Sequence, residues 1–340
     1  MKLTKILRVI GVAFATSTIC LSTWAADIQA RQLKIGHLST EDTPLGAGLY
    51  KFAEIVNKKT DGKIQIKVYN SGQLGSEVQQ IGALQSGTQD FTLISSSPLV
   101  SVVRDLQVLD FPGLVENTDV ADALLDGPIG SQMLQKFGDK SLVGLSFWEN
   151  GFRQFTNSKR RVTKVQDFAG LKVRVIQNPI YIDMFKQLNT NPVPMSFTQL
   201  YTALETKTVD AQDNAMATSY MAKFNEVQKY LTLTRHIYNP MVLVGSKKLW
   251  DSLSADEKKI MVDAIAEARD FQRTMNRQKE KFYVEEMRKV GMTVDEFPIA
   301  ETAKMKELMK PVIEKYSKEV GESFVKSVYA EVDRIKKSKQ

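Results

Sequence analysis

Cysteine and histidine are nearly absent: one cysteine, Cys20, and two histidines, His37 and His236, stand in 340 residues. A structural zinc site draws four ligands largely from those two residue types, so none of the usual kind can be assembled and no metal is expected. With no second cysteine there is no intrachain disulfide, and the fold must stand on core burial alone. An H-E-x-x-H helix, a G-x-x-x-x-G-K-[ST] phosphate loop, a G-x-G-x-x-G turn after a strand and a G-x-S-x-G elbow are all missing. Cofactor-dependent and hydrolytic chemistries thereby lose their usual signatures, and no cofactor is expected. A carboxylate-pair enzyme stays open, since 39 acidic residues can always supply two neighbours, but nothing singles a pair out. Beyond the first 25 residues no run reaches the roughly 20 apolar residues that a membrane span requires.

Those first 25 residues have their own logic. Lys2, Lys5 and Arg8 precede an apolar run over residues 10–21, and Thr23-Trp24-Ala25 places small residues three and one positions before a cut. This is the pattern of a secretory signal peptide over residues 1–25, which directs the mature chain to the periplasm. A lipoprotein cut just before Cys20 is disfavoured, because Ile19 is not the small residue such a cut needs. The whole chain carries Lys+Arg 46 against Asp+Glu 39; removing the signal's three basic residues leaves 43 against 39, a net charge of +4. So small an excess gives no reason to expect a nucleic-acid partner.

With 43% hydrophobic residues the chain can bury a large core. Residues 33–38 alternate as a strand, and Leu49, Phe52, Ala53 and Val56 mark an amphipathic helix over residues 45–58. A strand over 64–68, a turn at Asn70-Ser71-Gly72, a helix over 77–85 and a strand over 91–94 follow. Strands at 142–147 and 171–175 restart the pattern. Such alternation packs helices on a mostly parallel sheet, and two sets of it predict two α/β lobes. Ser254, three residues before Glu257, forms a capping box that opens a helical pattern running to about Val290. At about 1.5 Å per residue that rod is roughly 55 Å long, enough to lie across both lobes as a strut. The basic end, Arg334 to Lys339, reads as a solvated, frayed tail.

Ligands of open α/β sheets sit at the carboxyl ends of strands. Alternation in Gly170-Leu171-Lys172-Val173-Arg174-Val175-Ile176 puts Leu171, Val173 and Val175 on one face and Arg174 on the other. From there its guanidinium can reach a cleft and grip a carboxylate through two parallel hydrogen bonds.

Several stretches resemble one family. They are residues 148–157 (WENGFRQFTN), Asp167-Phe168-Ala169-Gly170-Leu171-Lys172-Val173-Arg174, residues 194–204 (PMSFTQLYTAL), Val209-Asp210-Ala211-Gln212-Asp213-Asn214, and residues 224–234 followed by His236. Together they resemble the substrate-binding proteins of tripartite ATP-independent periplasmic (TRAP) transporters, over essentially the whole mature chain and most closely the dicarboxylate-binding branch. The resemblance implies a two-lobed periplasmic-binding-protein fold, mixed sheets flanked by helices, with the long C-terminal helix bracing both lobes. Lobe I would comprise residues 26–150 plus about 238–275, lobe II residues 151–237 plus about 276–330, and residues 331–340 the basic tail. It implies a non-enzymatic, monomeric protein that closes on a small carboxylate and passes it to TRAP membrane permease subunits.

By that resemblance Arg174 grips the carboxylate, Asn214 hydrogen-bonds it, Phe197 walls the pocket and Arg153 is a second arginine facing the ligand. His37 and Glu77 match positions lining the cleft from the other lobe. The chain departs from the family at Ala211, Asp213 and Ala215, where Gly, Glu and Pro are usual, and Ser95 stands where sialic-acid binders carry an acid. Two guanidiniums in one cleft repel unless an anion or a neighbouring acid neutralises them, so a dicarboxylate such as succinate, malate, fumarate or malonate is expected. A uronate or diketogulonate is the alternative. Glu149, four residues before Arg153, is the local acid that would instead absorb that arginine's charge.

Overall fold

The computed structural model describes residues 27–338. The expected signal peptide, Cys20 included, lies outside these residues. The strands are β1 (Arg31–His37), β2 (Ile64–Tyr69), β3 (Phe91–Ser95), β4 (Leu142–Asn157), β5 (Lys172–Val175), β6 (Asn191–Pro194), β7 (Ala211–Ala215), β8 (Tyr230–Leu233), β9 (Tyr238–Ser246) and β10 (Thr293–Glu296). Helices run as α1 (Pro44–Lys59), α2 (Glu77–Ser86), α3 (Ser96–Leu99), α4 (Thr118–Leu125), α5 (Pro128–Gln135), α6 (Pro179–Gln187), α7 (Leu200–Glu205), α8 (Met216–Met221), α9 (Lys247–Ser252), α10 (Ala255–Lys289), α11 (Ile299–Val320) and α12 (Glu322–Ser338).

The sheet order β2-β1-β3-β9-β4-β7-β5-β6 divides into two sheets that share β4. In the first, β1 pairs in parallel with β2 and β3, while β9 is antiparallel to both β3 and β4. In the second, β5 runs parallel to β6 and β7, and β4 is antiparallel to β7 and β8. This mixed α/β architecture, with helices flanking the sheets, is the one expected. Local signals explain the first half: Thr43 caps α1 by accepting from the Gly46 N–H, Pro44 supplies a fixed φ at its first position, and Leu49, Phe52 and Val56 bury one face against Ile35, Ile64 and Phe91.

Three features depart from the reading of the sequence. The strand expected to stop at residue 147 continues to Asn157, bulging between Glu149 and Gly151, where Gly151 adopts φ +116°. Glycine fits there because that region is strained for any side chain bearing a Cβ. The bulge survives because α10 supplies its hydrogen bonds: the Gln272 side chain accepts from the Glu149 N–H (3.0 Å) and donates to the Glu149 carbonyl (2.8 Å), and Asn276 donates to the Glu149 carboxylate (2.8 Å). Arg277 completes the contact with Glu149 at 2.7 Å, so Glu149 is not the partner of Arg153. Finally, the segment read as a frayed tail is helical to Ser338, because Val325, Val328, Val332 and Ile335 recur at helical spacing and are buried.

Helix α10 does span the molecule. Ser254 and Glu257 form its capping box, Met261, Ala264, Ile265 and Ala268 pack into the core of the first sheet, and Tyr283 and Met287 pack with Met216 and Leu231 beside the second. Its 35 residues make a rod of roughly 52 Å at about 1.5 Å per residue.

Candidate ligand-binding site

Where the sheets meet, a cleft opens. Its walls follow from topology. Leu38 and Ser39 lie just past β1, Ser95 ends β3, Ile176 follows β5, and Asn214 sits one residue from the end of β7. Asn150 and Arg153 line it where β4 passes from one sheet to the other, and Asn239 and Met241 line it from the neighbouring strand β9.

Arg174 is 2% exposed, on the short strand β5 between β6 and β7. Its Nε donates to the Met195 carbonyl at 3.0 Å, and among the described residues its two terminal nitrogens have no hydrogen-bond partner. Burial pushes the guanidinium down to about 10, an effect that the nearby Glu77 carboxylate opposes. A buried cation with an idle two-pronged donor is a costly arrangement unless an anion completes it.

Glu77 faces Arg174 from the first residue of α2, 7% exposed. Burial raises its pKa, against the pull of its own backbone N–H, the Arg174 charge and the Phe197 N–H. Phe197 stands half-buried beside the cleft, its ring 6.2 Å from that of Phe224. Asn214 is held by a chain of side chains: its Nδ2 donates to Gln212 (2.8 Å), Gln212 to Thr156 (2.8 Å), and Thr156 to Gln228 (3.1 Å). One N–H and the carbonyl oxygen of the Asn214 amide are left over for a ligand.

Arg153 also lines the cleft, but its charge is matched. Its Nε and Nη2 donate to the Asp213 carboxylate and the Asp213 backbone carbonyl, and Nη1 lies 3.4 Å from Asn239 Oδ1. The Tyr181 ring lies 5.5 Å from its guanidinium carbon. Burial alone would raise the Asp213 carboxyl; Arg153 and the His236 ring, 3.2 Å away, override it and hold the group well below the usual carboxylate range. Strand register explains the pairing: Arg153 lies opposite Ala215 and Phe155 opposite Asp213, so residues 153 and 213 share one face of the β4–β7 pair. The arginine pair expected in the cleft is therefore one matched ion pair and one lone guanidinium.

His37 is not among the residues that line the cleft. As the last residue of β1 it is buried, with Nε2 2.7 Å from Asn70 Oδ1, and its carbonyl accepts the Gly72 N–H at 3.0 Å. Burial lowers its pKa below the ordinary histidine value, and its place is to hold the 70–75 turn against the strand.

Apart from Ser95, the sequence reading passed over a neutral polar wall lining the same cleft as Arg174. Asn150 donates to Asn239 (3.1 Å) and accepts from Thr218 (2.8 Å), and Asn239 donates to Ser95 (3.1 Å). An asparagine inside the otherwise apolar run Ile237 to Val244 was the available signal. Behind this wall Asp110, fully buried, accepts from Ser97 (2.7 Å), Asn178 (3.0 Å) and Tyr181 (3.1 Å); burial pushes its carboxyl up to about 7.

A sequence model of the family described as "Bacterial extracellular solute-binding protein, family 7" matches residues 35–319. The chain belongs to that family, the TRAP solute-binding proteins. The crystallised sugar acid binding protein DctPAm of Advenella mimigardefordensis, in complex with galactonate, is 40% identical with a TM-score of 0.89, covering 91% of this chain and 100% of that one. The 2,3-diketo-L-gulonate-binding periplasmic protein YiaO of Escherichia coli is 32% identical over 83% of each chain. The C4-dicarboxylate-binding protein DctB of Bacillus subtilis is 30% identical over 87% of this chain and 85% of its own length. Family 7 thus supplies likenesses to binders of both acid classes considered from the sequence. Its description is of transport proteins, and among the described residues no helix is long and apolar enough to cross a membrane.

Proposed function

We propose that this protein captures a small organic acid in the periplasm, holds its carboxylate on Arg174, and delivers it to the membrane permease subunits of a TRAP transporter. One observation carries this reading: a 2%-exposed guanidinium on the cleft wall whose terminal nitrogens have no protein partner among the described residues. An anion with two oxygens in a plane satisfies both nitrogens at once, and the spare N–H of Asn214 lies on the same wall. Residues from both sheets line the cleft, so a ligand that bridges them would favour the closed form over the open one. The likeness to binders of galactonate, diketogulonate and C4-dicarboxylates supports the acid as the cargo and leaves its class to the chemistry of the cleft.

The test is Arg174→Lys with calorimetric titration of an organic-acid panel. Lysine keeps the charge and loses the planar fork, so affinity should fall about 100-fold, roughly 3 kcal/mol. Unaltered affinity would refute the assignment.

A further inference from the structure

The ionisable groups at the cleft cancel. Arg174, Arg153 and Glu77 line it, and Asp213, ion-paired to Arg153, stands just behind them. Asp213 is committed to Arg153 and His236, and Asp110 to Ser97, Asn178 and Tyr181 behind the wall. Before any ligand enters, the walls therefore carry no excess positive charge. One carboxylate on Arg174 brings the site to a single negative charge, and a second would bring it to two. The other polar residues lining the cleft, Ser39, Ser95, Asn150, Asn214, Thr218 and Asn239, are neutral, and the one further cation, Arg153, is already matched by Asp213.

We propose that this cleft selects by charge, taking hydroxylated acids with a single carboxylate and rejecting dicarboxylates, and that Glu77 is the residue that enforces the selection. The proposal rests on the reading of Arg174 as the carboxylate grip. Glu77 comes from α2, across the cleft from Arg174, and is buried, so little water screens a like charge placed beside it. A ligand hydroxyl can donate to that carboxylate, whereas a second ligand carboxylate meets it as like charge. The neutral wall then reads the hydroxyl pattern, because its asparagines are held rigidly by one another, by Thr218 and by Ser95.

Acid pairs that differ only in the terminal carboxylate isolate the effect: D-gluconate against D-glucarate, and D-erythronate against meso-tartrate, titrated calorimetrically into the mature protein at pH 7.5. In the wild type the monocarboxylate of the better-bound pair should win by tenfold or more, about 1.4 kcal/mol. Glu77→Gln should shrink that ratio at least tenfold by admitting the diacid, and Glu77→Asp, which keeps the charge, should preserve the preference. A diacid bound as tightly as its partner by the wild type, a ratio unmoved in Glu77→Gln, or binding of succinate with none of the four hydroxy acids would each overturn the proposal. Arg174→Lys separates the two readings: if both acids weaken but the monocarboxylate preference vanishes while Glu77 is intact, charge selection is refuted and the grip stands, whereas binding indifferent to Arg174→Lys refutes the carboxylate grip itself.

Discussion

The pairing of Arg153 with Asp213 makes a sharp demand on stability. Asp213 is 0% exposed and Arg153 1% exposed, and the carboxylate is the guanidinium's only charged partner among the described residues. Asp213→Asn keeps the volume and removes the charge, leaving Arg153 buried with a backbone carbonyl and the 3.4 Å contact to Asn239. Stranding a buried charge in this way costs about 3–5 kcal/mol. Arg153→Met strands Asp213 in turn, although the carboxylate keeps His236 at 3.2 Å, so its cost should be smaller. The double variant removes both charges and should be more stable than the sum of the two single costs implies, by about 2 kcal/mol or more. Urea denaturation at pH 7, followed by circular dichroism, reads all four proteins. Because Arg153 holds the folded-state pKa of Asp213 below its unfolded value of about 3.9, this stabilisation is complete above that pH and is lost as the pH falls further. A cost under about 1 kcal/mol for Asp213→Asn, or strict additivity of the singles, would refute the reasoning.

Asp110 carries the opposite sign. Its folded pKa of about 7 lies above the unfolded value of about 3.9, so its contribution weakens the fold as pH rises from about 4 to about 7, by at most about 4 kcal/mol. Asp110→Asn should flatten the dependence of the urea midpoint on pH across that window, and parallel curves for variant and wild type would rule the effect out. Gly48 sits where α1 meets α10; a Cβ there would lie 2.6 Å from the Trp148 ring and 2.9 Å from Gln272 Cβ. Gly48→Ala should therefore destabilise the protein by about 1–3 kcal/mol, and a melting temperature at or above that of the wild type would show that the contact yields freely.

What could be read from the sequence was local. The elements from β1 to β3 lie within a few residues of their expected bounds because alternation, the Thr43 cap and the Asn70–Gly72 turn act over short spans. The capping box at Ser254 and Glu257 placed the start of α10 for the same reason. The extension of β4 was illegible because Glu149 and Asn150 look like turn residues until Gln272 and Asn276, more than 120 positions away, satisfy them. Arg174, Arg153, Asn214, Phe197 and Glu77 do line one cleft, but the match of Arg153 with Asp213, 60 positions on, depends on strand register that no spacing rule reports. His37 shows the converse: its strand-end position pointed towards the cleft, and its buried bond to Asn70 turned out to be local packing. In α12 the run of lysines near the end hid an apolar stripe that keeps the last turns folded.

The strand that joins the two sheets, β4, also carries Asn150 and Arg153, and Asn239 and Met241 lie on its neighbour β9. Recognition and articulation therefore share the same few peptide units. If the cleft takes an organic acid as proposed, retuning it at Asn150 or Asn239 would also disturb the strand pair through which the two sheets are coupled, and a change aimed at that coupling would alter what is recognised.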